Sequence, residues 1–271
     1  SVTQFVPGRV NLIGEHIDYN GGRVLPFALS SGVTVSLTPR TDDRFVMVSD
    51  RFTDKVSAWA DDKVSEGWAR YLFYAASLAL QLGWIDSGAD ISVISTLEDG
   101  AGVSSSAAIC VATFKAICLL RGIKKDDTEI AKLARRVEND FIGIPCGIMD
   151  QMAVAVAQPG EAVFLDTASL DFERILLPES HRFVVLHSGI RRELADGRYA
   201  ARAQECYFAK RFFGTEDLCY LTLDDVMSAR GLEEPIRRRV WHCITEHART
   251  IAAAQALKAG DLDALGVLMD E

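Results

Sequence analysis

The 271 residues are 49% hydrophobic, enough to bury one large core or two ordinary ones, which excludes a disordered chain and a small disulfide-stapled scaffold. With 29 Lys and Arg against 38 Asp and Glu, the formal net charge is −9. Nucleic acid and anionic membrane surfaces are therefore repelled at long range, and any polyanionic ligand needs a local site.

The six cysteines, at 110, 118, 146, 206, 219 and 243, form no Cys-x-x-Cys pair and sit mostly among apolar neighbours, as reduced core thiols do. No apolar run approaches the roughly 18 residues of a membrane helix, and Ser-Val-Thr-Gln-Phe at the start lacks a basic n-region. These features read as a soluble, cytoplasmic chain. Residues 9–13, 32–39, 44–49 and 55–60 alternate short β-branched runs with turns and are expected to be strands. A helix is expected over 68–82, where Leu72, Ala75, Ala76, Ala79 and Leu82 keep helical spacing. A strand at 91–96 precedes a long helix from about 105 to 120, apolar nearly all round and so expected to be buried.

The next helix spans about 128–141, with Asp126 or Asp127 placed to cap it and Ile130, Leu133, Ala134, Val137 and Phe141 on one face. Strands return at 162–166, 172–177 and 182–187. From about Tyr199 the chain reads as helices ending in the Ala-rich segment 251–257. A strand block, two buried helices and a second mixed block indicate an α+β fold, with lobes at 1–160 and 161–271. There is no Gly-x-Gly-x-x-Gly after a strand and no Gly-x-x-x-x-Gly-Lys-Ser/Thr, so two common nucleotide folds lose support.

Three stretches concentrate chemistry. In Leu97-Glu-Asp-Gly-Ala-Gly-Val-Ser-Ser-Ser-Ala-Ala108, Gly100 and Gly102 permit close backbone approach. Ser104, Ser105 and Ser106 offer N-caps and hydroxyls at a helix N-terminus, where the dipole favours phosphate. The alternative is a plain turn and cap, and Glu98 and Asp99 stand in front of the loop where negative charge opposes a phosphate. The stretch Pro7-Gly-Arg-Val-Asn-Leu-Ile-Gly-Glu-His-Ile-Asp-Tyr-Asn-Gly-Gly22 packs Arg9, Glu15, His16 and Asp18 around an apolar strand. Polar clusters at a strand end commonly line pockets for polar small molecules, although Glu15 and Asp18 also suit a surface loop.

In Val137-Glu-Asn-Asp-Phe-Ile-Gly-Ile-Pro-Cys-Gly-Ile-Met-Asp-Gln151, Glu138 is in register with Ala134 and Phe141, at the edge of a buried face where a carboxylate needs a partner. Asp150 either caps the apolar segment 152–157 or is an acid held at its start.

Together these stretches resemble the galactokinase branch of the GHMP small-molecule kinases: the first motif Pro-Gly-Arg-Val-Asn-Leu-Ile-Gly-Glu-His-x-Asp-Tyr, the ATP loop Gly-x-Gly-x-Ser-Ser-Ser-Ala and the catalytic-acid segment Cys-Gly-Ile-Met-Asp-Gln occur in order. The resemblance covers nearly the whole chain. It continues in His187-Ser-Gly-Ile-Arg-Arg-Glu-Leu, with Tyr199 and Cys206, and in Arg237-Arg-Arg-Val-Trp-His-Cys-Ile-Thr-Glu-His-Ala-Arg249. It implies a two-lobe fold, with an N-terminal domain like that of ribosomal protein S5 and an incomplete ferredoxin-like C-terminal domain. It also implies transfer of the ATP γ-phosphoryl group to the anomeric hydroxyl of galactose. On that resemblance Gly100, Gly102, Ser104, Ser105 and Ser106 embrace the nucleotide phosphates, and Ser106 and Glu138 hold Mg²⁺. Asp150 accepts or orients the sugar proton, and Arg9 lies beside it to offset charge on the phosphoryl group.

Glu15, His16, Asp18, the Gly147 backbone and Tyr199 match sugar-binding positions, while Trp68 stands near the adenine or in the core. The implied partners are galactose and ATP, with neither nucleic acid nor membrane. Departures are Glu98 and Asp99 in place of a Pro-Leu-like pair, Val103 in place of Leu, and Ile17 where Thr is common. Ile17 also occurs in the related N-acetylgalactosamine kinase, so another sugar 1-kinase is the nearest alternative, whereas Tyr199 favours galactose. A non-catalytic galactose and ATP sensor is a further alternative, opposed by the intact Ser-Ser-Ser-Ala at 104–107. The chain stops at Glu271 without the family's glycine-rich third motif and starts just before the first, which implies a fragment of a longer enzyme.

Overall fold

The computed structural model describes residues 1–98, 100–186 and 197–271. In chain order its elements are β1 (Val2–Asn11), β2 (Arg23–Val24), β3 (Pro26–Pro39), β4 (Arg44–Ser49), β5 (Val56–Trp59), α1 (Ala69–Gln81), β6 (Ala89–Ser95), α2 (Ser105–Arg121) and α3 (Asp127–Arg136). A π-turn (Val137–Ile142) follows, then α4 (Met149–Val156), β7 (Glu161–Asp166), β8 (Phe172–Leu176), α5 (Arg198–Phe213), a 3-10 turn (Leu218–Tyr220), α6 (Leu223–Ser228), α7 (Ile236–Ala259) and α8 (Leu262–Asp270). The mixture of strands and helices is α+β. No helix among the described residues is long and apolar enough to cross a membrane, and all six cysteines are unbridged.

The described residues fall into two compact units. The first comprises Ser1–Arg9 and Leu29–Val156. Val33, Val35 and Leu37 of β3 are buried and alternate with more exposed Thr34, Ser36 and Thr38, the period of a half-buried strand. Here β3 pairs antiparallel with β6, from Val33 opposite Ser95 to Pro39 opposite Ala89, while β4 runs parallel to β6 and antiparallel to β5. β1 pairs with β3.

The expected spacing of α1 buries Leu72, Ala75, Ala76 and Ala79, but Leu82 is exposed because the helix ends at Gln81 and Leu82 is its C-cap. α2 packs against α1, α3 and α4 and buries residues on all sides, including Val111, Phe114 and Ile117, as its unbroken apolar sequence demands. Asp126 caps α3: its carboxylate accepts the Glu129 N–H at 2.7 Å and Glu129 reaches back to the Asp126 N–H, a reciprocal capping box. The helix expected over 128–141 is α-helical only to Arg136, because one wider turn intervenes from Val137 to Ile142.

The second unit comprises Val10–Ala28 and Ala157–Glu271. An expected division at residue 160 keeps Val10–Ala28 with the N-terminal lobe; contacts group it with the C-terminal segment instead. β7 pairs antiparallel with β2 (Arg23 opposite Asp166) and with β8 (Glu161 opposite Leu176), and Phe27 lies opposite Ala162. α7 packs against α5, α6, α8, β2 and β8. The Ala-rich segment 251–257 lies inside α7, and α8 follows it. The strand expected at 182–187 is absent over 182–186, where Val184, Val185 and Leu186 are exposed, and His187 lies outside the described residues. High β-propensity forms no strand without a neighbour to pair with.

Candidate active site

The first unit brings together residues that are distant in sequence. Arg9, near the end of β1, is buried and donates from Nε (3.0 Å) and Nη2 (2.7 Å) to Oδ1 of Asp150, in the first turn of α4. Its Nη1 donates to the Gly102 carbonyl at 2.9 Å, and its backbone N–H to the Val103 carbonyl at 3.1 Å. One guanidinium thus ties the serine loop to the carboxylate. Both side-chain bonds to Asp150 converge on Oδ1, the carboxylate is 36% exposed, and among the described residues none bonds to Oδ2.

Below the loop, a Cβ at Gly8 would stand 2.6 Å from Leu97 Cδ2 and 2.9 Å from the Val103 carbonyl. Only glycine admits this approach. Arg51 donates to the carbonyls of Ser95 and Leu97, fixing the entry to the loop.

Within the loop Gly100 (φ 73), Gly102 (φ 71) and Ser104 (φ 62) are left-handed. The conformation is free for glycine and costs serine on the order of 1 kcal/mol. Ser104 occupies the N-cap position of α2, but it makes no capping bond, because capping uses an extended backbone at that residue. Its buried hydroxyl has no hydrogen-bond partner among the described residues. The N-terminus of α2 therefore keeps donors and a favourable dipole end uncommitted to any side-chain cap, beside exposed Ser105 and half-buried Ser106. Glu98 is exposed; Asp99 lies outside the described residues, as does the expected motif from His187 to Leu194.

Ser106 Oγ donates to Glu138 Oε2 at 3.2 Å, and Gln151 Nε2 donates to Oε1 at 3.0 Å. Burial pushes the Glu138 carboxyl up to about 7; the bonds from Gln151 and Ser106 oppose that rise, and the nearby Asp150 charge adds to it. Gln151 is itself buried, and its Oε1 has no hydrogen-bond partner among the described residues. Asn139 Oδ1 accepts the Cys146 N–H at 2.9 Å, closing the segment between the π-turn and α4, and the predicted Gly147 is buried in that segment. Sequence reasoning missed Gln151 and Asn139, although both lie in the stretch it singled out. Among the described residues no group of three or more His, Cys, Asp or Glu side chains is arranged to hold a metal.

The predicted residues Glu15, His16, Asp18 and Tyr199 belong to the second unit. His16 is left-handed (φ 61); its Nδ1 lies 2.9 Å from Tyr19 Oη, and its ring is 5.5 Å from that of Tyr199. Tyr19 and Tyr199 meet edge to face at 5.6 Å. Burial above all holds the Tyr19 phenol far above its ordinary value, so it is a neutral hydrogen-bonding group. Tyr19 was not among the predicted residues, although it stands in the first motif.

Asp18 is half-buried and Glu15 exposed, Glu15 Oε1 accepting from Asn11 Nδ2 at 2.8 Å. Ile17 is fully buried and a Cβ on Gly22 would meet it at 2.7 Å, so its difference from the common Thr is a change in the core. Trp68, expected in the core or near a base, is half-buried and stacks on exposed Phe52 at 5.7 Å, with Nε1 3.3 Å from Asp54. That stack belongs to the surface of the first unit.

Comparison with known proteins converges on one family. The GHMP kinases N terminal domain matches residues 70–158, and the galactokinase galactose-binding signature matches residues 2–39. A galactokinase of Halalkalibacterium halodurans is 38% identical over 276 residues, covering 98% of this chain and 70% of that protein. One of Thermococcus kodakarensis is 36% identical over 269 residues, covering 98% and 75%. The crystal structure of Lactococcus lactis galactokinase complexed with galactose aligns with a TM-score of 0.88 at 26% identity, over 98% of this chain and 72% of that one. With this likeness running through almost all of its length, the chain belongs to the galactokinase family of GHMP kinases.

Proposed function

We propose that the chain transfers the γ-phosphoryl group of ATP to the anomeric hydroxyl of galactose, giving galactose 1-phosphate and ADP. The observation that carries this reading is the Arg9 bridge, in which one guanidinium holds both the Asp150 carboxylate and the Gly102 carbonyl of the serine loop. Gly100, Gly102, Ser104, Ser105 and Ser106 then receive the nucleotide phosphates through backbone N–H groups and hydroxyls at the start of α2. The buried Ser104 hydroxyl, which has no hydrogen-bond partner among the described residues, supports this role.

Ser106 and Glu138 suit Mg²⁺: they present hard oxygen donors 3.2 Å apart, and a cation there offsets the cost of ionising a buried carboxylate. When bound, Mg²⁺ neutralises charge on the nucleotide phosphates. Asp150 accepts or orients the sugar hydroxyl proton through Oδ2, while Arg9 occupies Oδ1 and counters charge on the transferring group. Glu15, His16, Asp18, the Gly147 backbone and Tyr199 contact the sugar. A misplaced hydroxyl leaves such groups unpaired, which is how epimers are distinguished.

The test is ADP release by the purified chain with Mg-ATP and galactose, N-acetylgalactosamine or glucose in turn. Galactose should give the highest kcat/KM. Strong turnover of another sugar beside none with galactose rejects the assignment.

A further inference from the structure

The stretch from Arg237 to Arg249 has no part in the reaction as derived above, yet α7 places His242, Glu246 and Arg249 at i, i+4 and i+7 on one face. Glu246 is buried. Its Oε1 accepts the backbone N–H groups of Gly14 (2.8 Å) and Glu15 (3.0 Å), and its Oε2 accepts Arg249 Nε (3.1 Å) and Nη2 (2.8 Å). His242 Nε2 lies 2.8 Å from the Glu15 carbonyl, which it serves as a donor. Both peptide groups flanking Glu15 are therefore held from α7, and the chain passes directly from there into left-handed His16.

We propose that Glu246 is a positioning residue for sugar binding. With His242 and Arg249 it fixes the Gly14–Glu15 backbone, and through it the side chains of Glu15 and His16, and so sets galactose affinity by way of the loop. The inference rests on the reading of that loop as the sugar-binding segment.

Glu246→Gln is the informative variant. A carboxylate accepts on both oxygens, whereas an amide turns an NH₂ donor either on the two backbone N–H groups or on Arg249, so one side is lost in either orientation. His242→Phe removes only the bond to the Glu15 carbonyl and provides a second variant should the first fail to fold.

The measurements are calorimetric titration of each folded protein with galactose and with ADP, and steady-state KM values for galactose and ATP. Glu246→Gln should raise the galactose Kd and KM about tenfold and His242→Phe about threefold, with the ADP Kd and ATP KM within about twofold of wild type. A merely structural brace lowers the melting temperature and leaves the galactose constants of the folded protein unchanged. That result, in Glu246→Gln or, if it does not fold, in His242→Phe, overturns the proposal while wild-type galactose binding upholds the sugar loop. A wild-type chain that binds no galactose overturns both.

Discussion

Arg9 and Asp150 are 141 positions apart, and their pairing gives the candidate site its geometry because the same guanidinium also holds the Gly102 carbonyl. Asp150→Ala should lower galactose-dependent turnover by at least about 10²-fold while ATP affinity persists; turnover near wild type would remove Asp150 from the assigned role. Glu246 carries a pH signature. Burial alone raises its carboxyl, but the Gly14 N–H, Arg249 and the Glu15 N–H outweigh this and hold it below the ordinary value of 4.5. A carboxyl depressed on folding contributes stability above its unfolded value, and that contribution is lost as pH falls through the folded value. Urea unfolding should therefore show wild type losing stability faster than Glu246→Gln below about pH 4.5, and parallel curves would contradict it. Residue types at the site were legible because carboxylates, glycines and serines crowd three short stretches. Gln151 and Asn139 were not, because an amide that orients another side chain has no composition signal. Glu246, His242 and Arg249 had one: polar residues at i, i+4 and i+7, which share one face of a helix.

Among the elements, the π-turn from Val137 to Ile142 decides where Glu138 stands. Sequence spacing did not reveal it, since Ala134, Glu138 and Phe141 share a face by α-helical counting and a single wider turn has no composition signal of its own. Asn139 closes the turn onto Cys146 through Oδ1, ahead of α4 and its Asp150 and Gln151. Asn139→Ala should cost about 1–2 kcal/mol of stability and raise the Mg²⁺ concentration needed for half-maximal turnover, checked by urea unfolding and a Mg²⁺ titration. An unchanged requirement would mean that Glu138 is placed without it. The serine loop has a comparable support in Gly8: Gly8→Ala should destabilise by about 1–3 kcal/mol through overlap with Leu97 and the Val103 carbonyl, and weaken ATP binding. α1 and α2 were readable to within a residue or two because their apolar spacing is strong. The first half of β3 was not, because Phe27-Ala-Leu-Ser-Ser-Gly lacks β-branched residues. Phe183-Val-Val-Leu has the composition of a strand and forms none, since pairing partners are set by the fold.

At the scale of the whole molecule, chain order misleads. Val10–Ala28 groups with residues beyond 156 because β2 pairs with β7 and the Gly14–Glu15 backbone is bonded by α7. Such pairings connect positions up to 232 apart and leave no local trace in the sequence. Each ligand that binds the folded chain must also stabilise it, so galactose at about 100 times its Kd should add about 2.7 kcal/mol to the unfolding free energy. An equal concentration of glucose should add little. Phosphorus and carbon NMR of the sugar product, made by the purified chain from Mg-ATP and galactose, tests anomeric phosphoryl transfer most directly. Phosphate coupled to C1, in step with ADP released and lost in Asp150→Ala, is the expected result; phosphate at another carbon, or ADP without phosphorylated galactose, contradicts it.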